Sequence, residues 1–136
     1  MGYADWTASL SFNGDDMDDH TTLADLKGMV RAFCDARDWG QYHNAKDLAI
    51  GVATEAAELL DNFRFKSVPE SDQIMADAEK RKGVEDEMAD VLYFLLRISE
   101  RYGIDLSDAM ASKMAQNEAK YPVSKSRGSN RKYDEF

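Results

Sequence analysis

The sequence predicts an all-α fold, a bundle of about four main helices. Apolar residues recur at helical spacing through several segments, cap-forming residues stand before those segments, and Gly or Pro stands after them. No stretch alternates apolar and polar residues as a half-buried strand would. At 136 residues the chain has the size of one domain with a modest core, or of one subunit of an assembly that shares its core.

Residues 1–21 carry no apolar period and are expected to form a flexible arm. Their acidic run, NGDDMDDH, lacks the register of a calcium loop and reads as solvated charge. From Thr22 onward Leu23, Leu26, Val30 and Phe33 follow a helical period, with Thr21 or Thr22 as cap, and this helix is predicted to end near Gly40 in RDWGQYH. Asn44 with Asp47 offers the next N-cap, and Leu48, Val52, Leu59 and Phe63 form a stripe running to about Phe65. SVPESD, with one of only 2 prolines, is expected to be a loop. A third helix is predicted from Gln73 to Gly103, with Gly83 as a candidate break. Asp105 and Asp108 cap a fourth, from Leu106 to Tyr121, which Pro122 ends. The helical domain is thus placed at residues 22–122. The tail, residues 123–136, is expected to be disordered or to dock on a neighbouring subunit.

Composition excludes several classes. With 43% hydrophobic and 32% charged residues and no run near the roughly 18 apolar residues of a membrane span, no membrane partner is expected. The start MGYADWTASL lacks a basic n-region and an apolar h-region, so export is not expected and the cytosol is the predicted location. A single cysteine, Cys34, excludes an internal disulfide and a cysteine-built zinc site. A formal net charge of -9 argues against binding a nucleic acid polymer, which needs a basic face. Divalent metal is the natural counterion for such a surplus of carboxylates.

Two short stretches carry the chemistry, VATEAAELLDNF and EDEMADVLYFLL. At about 100° per residue, Glu58 lies at about -60° from Glu55, and Asp90 at about -60° from Glu87. Both pairs border the same kind of apolar face, so packing those faces together brings four carboxylates beside the core. Four anions together repel unless something positive sits between them, and neither apolar arc contains Lys or Arg. Oxygen-only donors suit Mg2+, with Mn2+ as a substitute. A di-iron bundle would need Glu-x-x-His, and His20 and His43 both lie outside that spacing. On the last helix Lys113, Asn117 and Lys120 share a stripe that could grip polyphosphate oxygens. Ile50, Ala53, Ala57 and Leu60 make a second apolar strip on the acidic helix, which predicts self-association.

The ordered set E-A-A-E (Glu55 to Glu58), E-M-A-D (Glu87 to Asp90) and K-x3-N-x3-Y-P (Lys113 to Pro122) resembles the MazG-like nucleoside triphosphate pyrophosphohydrolases, and among them the short dCTP pyrophosphatases. RDWGQYH, FRFK (Phe63 to Lys66) and SNRKYDEF are similar to segments of the same group, so the likeness runs from about Leu23 to the end of the chain. The resemblance implies Mg2+-dependent hydrolysis of a nucleoside triphosphate between its α and β phosphorus atoms, and a homodimer or homotetramer. It implies that Glu55, Glu58, Glu87 and Asp90 ligate metal. It also implies that Lys113, Asn117 and Tyr121 contact the triphosphate, with Lys120 at a position that is often Arg. The matching base-pocket positions are Trp39, near His43, and Phe65, where the dCTP enzymes often have Trp. Either Glu55 or Glu58 would orient or deprotonate the attacking water. One competing reading is a pyrophosphohydrolase for another canonical or modified nucleotide, which a panel of triphosphates separates; the competing class is a helical interaction module whose acids serve only solubility, which Mg2+ dependence separates.

Overall fold

The computed structural model describes residues 17–136. Most of the expected N-terminal arm lies outside the described residues, and Met17–Asp19 forms a short 3-10 turn. The described residues contain no strand and six α-helices: α1 (Leu23–Asp35), α2 (Ala45–Asp61), α3 (Val68–Ala76), α4 (Ala78–Tyr102), α5 (Leu106–Lys120) and α6 (Val123–Ser126). They divide into two compact units, one reaching to Tyr102 and the other Gly103–Phe136.

Short polar side chains start the helices. The Thr22 hydroxyl accepts from the Asp25 amide at 3.1 Å while the Asp25 carboxylate accepts from the Thr22 amide at 2.9 Å, a reciprocal box at the head of α1. Asn44 Oδ1 accepts from the Asp47 amide at 3.0 Å, and Asp105 Oδ1 from the Asp108 amide at 2.9 Å. Three expectations change. SVPESD opens a helix rather than a loop, because Ser67 and Glu70 form a second capping box and Pro69 sits in the first turn, where a missing N–H costs nothing. The expected third helix is two: Asp77 leaves the helical conformation and its carboxylate accepts from the Glu79 and Lys80 amides at 3.1 and 3.0 Å, starting α4, which runs through Gly83 unbroken. Finally, α1 stops at Asp35, before Gly40. Asp38 turns left-handed at φ 50°, and Trp39–Tyr42 form a 3-10 turn.

In the first unit α2 lies along α4 in the most extensive helix contact, with α1 and α3 also packed on α4. The pairing runs antiparallel. A Cβ on Gly51 would lie 2.4 Å from the Phe94 ring, and three turns further along α2 a Cβ on Gly83 of α4 would lie 3.5 Å from Asn62 Oδ1. At Gly51 the lack of a side chain therefore lets the Phe94 ring lie against the backbone of α2. The core of this unit is small: Val30, Cys34, Leu48, Val84 and Leu96 are its buried apolar residues. Large apolar side chains such as Ile50, Leu60, Met88, Leu92 and Leu95 remain exposed on α2 and α4.

The second unit comprises α5, α6 and the end of the chain. The tail folds back so that its aromatic residues gather on Tyr121: the Tyr133 and Phe136 rings lie edge-on to it at 5.9 and 6.2 Å. Gly128 turns the chain at φ 71° to permit this return.

Gly51→Ala forces a methyl into the Phe94 ring. It is expected to lower stability by about 1–3 kcal/mol as an overpacking substitution, checked by urea denaturation against wild type.

Candidate active site

The register that joins Gly51 to Phe94 and Asn62 to Gly83 sets Glu55 and Glu58 of α2 opposite Asp90 and Glu87 of α4. One carboxylate oxygen from each of Glu55, Glu58 and Glu87 lies within 4.8 Å of the others. Asp90 stands outside this tight group but within electrostatic reach, since its charge acts on both Glu55 and Glu87. Partial burial, and then the charges of Glu58, Asp90 and Glu87, push the Glu55 carboxyl above the ordinary carboxylate range. Burial, and then Glu58, Asp90 and Asp86, do the same to Glu87.

Three basic residues of α4 are engaged elsewhere: Arg81 with Glu85 at 2.9 Å, Lys82 with Asp86, and Arg97 with Glu100 at 2.7 Å. Among the described residues, Glu87 Oε2 is buried without a hydrogen-bond partner. A buried, unpaired carboxylate oxygen facing two further carboxylates fits a hard divalent cation, whose binding would satisfy that oxygen and offset the mutual repulsion.

Beside the acids a cavity of about 480 Å³ opens between α1, α2 and α4. Glu55 and Asp90 form its acidic wall; Phe33, Trp39, His43, Tyr93 and Phe94 supply its rings. Phe33 meets Trp39 edge-on at 5.6 Å and Tyr93 at 6.2 Å, while the Arg37 guanidinium covers the Phe33 ring at 3.7 Å. The Tyr93 hydroxyl lies 3.1 Å from the Cys34 thiol; burial and this bond raise its pKa. His43 faces Trp39 at 6.2 Å and accepts at Nδ1 from Arg97 Nε at 3.0 Å. Burial, and then the charges of Arg97 and Arg101, hold the His43 ring below its ordinary pKa and keep it neutral.

The structure thus brings together six of the residues singled out from sequence: Glu55, Glu58, Glu87, Asp90, Trp39 and His43. Phe65 is not among them. It is 91% exposed at φ 60°, with the Arg64 guanidinium 4.8 Å from its ring, and it does not line the cavity, so one chain forms no sandwich of Trp39 with Phe65. In the second unit Lys113, Asn117 and Lys120 share a face of α5 and Tyr121 follows as its C-cap; the Lys120 ammonium lies 5.1 Å from the Tyr133 ring. Sequence reasoning missed Phe33, Tyr93, Phe94 and Arg97. The three rings sit at helical spacing that core residues share, and Arg97 with Glu100 reads as a surface ion pair.

A carboxyl whose pKa is raised on folding contributes stability fully below its ordinary value of 4.5 and loses it as pH rises through the folded value. In metal-free protein Glu87→Gln is therefore expected to melt higher than wild type at pH 8 in EDTA, with the gap closing at pH 4. Thermal melts at the two pH values measure this, and equal melting at pH 8 contradicts it.

Residues 50–136 match the sequence profile of the MazG-like family. Over 115 residues the chain is 35% identical to dCTP pyrophosphatase 1 of Mus musculus, covering 85% of this chain and 68% of the mouse protein. It is 33% identical to dCTP pyrophosphatase 1 of Homo sapiens with the same coverage. The crystal structure of a pyrophosphatase from Archaeoglobus fulgidus superposes with a TM-score of 0.70 at 36% identity, covering 76% of this chain and 94% of the other. By sequence profile, relatives and fold alike, the chain belongs to the MazG-like family.

Proposed function

We propose that this chain is a Mg2+-dependent pyrophosphohydrolase of the cytosol that converts dCTP, or a closely related pyrimidine nucleoside triphosphate, to its monophosphate and pyrophosphate. The hydrolase class follows from the family and from relatives that are pyrophosphatases. The observation that supports the rest is the junction of an oxygen-only acid cluster with an aromatic cavity at Glu55, which belongs to both.

Glu55, Glu58 and Glu87 would hold the cation, with Asp90 completing the acidic wall. When bound, Mg2+ supplies positive charge that neutralises the triphosphate and acidifies water nearby. The base enters among Phe33, Trp39 and His43, where ring stacking contributes about 1–3 kcal/mol. Glu55 or Glu58 accepts the proton of the attacking water as the water oxygen bonds to the α phosphorus, and the bond from that phosphorus to the bridging oxygen breaks to release pyrophosphate. In this reading Lys113, Asn117, Lys120 and Tyr121 contact triphosphate oxygens. The domain that carries the reaction is residues 22–122. Its exposed strip, with Ile50 and Leu60 at 56% and 62% exposure, supports assembly as a homodimer or homotetramer, with Phe65 available to a neighbouring copy.

Pyrophosphate release is expected from dCTP in the presence of Mg2+ or Mn2+ and not in EDTA, measured across the canonical nucleoside triphosphates. Glu58→Gln is expected to lower kcat by about 100-fold or more while keeping the helical circular dichroism of wild type. Mg2+ at 100 times its Kd should stabilise wild type by about 2.7 kcal/mol and leave Glu58→Gln unmoved. Equal turnover in EDTA would exclude this reading.

A further inference from the structure

Arg97 is 1% exposed, a buried cation in a small core. Its guanidinium is held from two sides: Nη1 donates to Glu100 Oε2 at 2.7 Å, and Nε donates to His43 Nδ1 at 3.0 Å. Glu100 is drawn toward a second cation, Arg31, at 3.9 Å. Nη2 of Arg97 and Nη1 of Arg101 lie beside Gly40, where an added Cβ would stand 3.9 and 3.3 Å from them, so the turn carrying Trp39 lies next to the same group. Leaving Glu100 and His43 unpartnered would be costly, which makes this network a fixed element rather than a surface pair.

The chemistry of the bond to His43 is one-sided. A guanidinium stays protonated and only donates, so Nδ1 must offer its lone pair and cannot carry hydrogen. A neutral ring then carries its proton on Nε2. A cationic ring would set N–H against N–H. With Nδ1 turned to Arg97, the polar atom left to the cavity is an Nε2–H donor.

We propose that Arg97 is a positioning residue that locks His43 as the Nε2–H tautomer, so that the cavity beside Glu55 and Asp90 offers an entering base a hydrogen-bond donor and takes it by an edge bearing an unprotonated ring nitrogen or a carbonyl. This rests on the reading of the cavity as a base site. The free lone pairs at N3 and O2 of cytosine meet the requirement, whereas a ring N–H turned to the same donor is rejected.

The test is the 15N spectrum of His43 in the full chain at neutral pH, together with kinetics on dCTP. Wild type is expected to show a protonated Nε2 and a bare Nδ1. Arg97→Met, which keeps the bulk and loses the donor, is expected to give a mixture of tautomers. His43→Leu should raise KM for dCTP about tenfold with little change in kcat, and His43→Gln, whose amide N–H falls near the place of Nε2, should recover most of that loss. A wild-type ring protonated on Nδ1 overturns the proposal, as do equal KM values for the Leu and Gln variants. Should Arg97→Met fail to fold, the wild-type tautomer and the His43 pair still decide. Wild type inert toward every triphosphate would remove the pyrophosphohydrolase reading, and the spectrum would judge the Arg97–His43 lock alone.

Discussion

The antiparallel seam between α2 and α4 is the constraint from which the other features follow. Gly51 lets the Phe94 ring approach the α2 backbone, and that approach sets how far apart the two helices stand. Continuing along the seam, successive turns bring Glu55 and then Glu58 over against the acids of α4. Unlike charges would make such a seam self-stabilising. Here the charges are alike, and burial first, with that repulsion second, makes the Glu55 and Glu87 carboxyls hold their protons more tightly than usual. Folding energy from the surrounding apolar packing is thus committed to assembling an anionic site that only a cation relieves.

The same seam explains why metal and base sites adjoin. Glu55 looks toward the acid cluster along α4 and toward the aromatic cavity beneath α1. A ligand with a flat ring at one end and several negative charges at the other matches that division of surface. The aromatic side is shaped by elements that hold one another: Arg37 covers Phe33, Phe33 meets Trp39, and Arg97 ties His43 to the interior of α4. Rings on a short 3-10 turn would be poorly positioned alone; the buried guanidinium beneath them gives the turn a rigid floor.

Much of this was legible in the chain. Thr22, Asn44 and Asp105 announced three helix starts, because a short polar side chain followed three residues later by an acid has a local cause and a local effect. The equal placement of Glu55–Glu58 and Glu87–Asp90 beside apolar arcs also announced which faces meet. The capping box of Ser67 and Glu70 was equally local, but the proline beside it was read as a breaker when it occupies the first turn, where proline is tolerated. Asp77 had the same capping chemistry and was hidden inside an apparently continuous helical pattern. What no local pattern could supply was depth. Arg97 and Glu100 have the spacing of a solvent-exposed pair, and only the tertiary packing buries one of them; Phe65 has the composition of a pocket ring, and only the backbone turn at φ 60° sends it outward.

The central claim is that the seam assembles a divalent-cation site from Glu55, Glu58 and Glu87. Titration of the metal-free protein with Mn2+, followed by the electron paramagnetic resonance signal of the free ion, addresses it without recourse to turnover. Saturable loss of that signal in wild type, absent when all three glutamates are replaced by glutamine, is the expected result. Undiminished binding in the triple variant, or none in wild type, would contradict it.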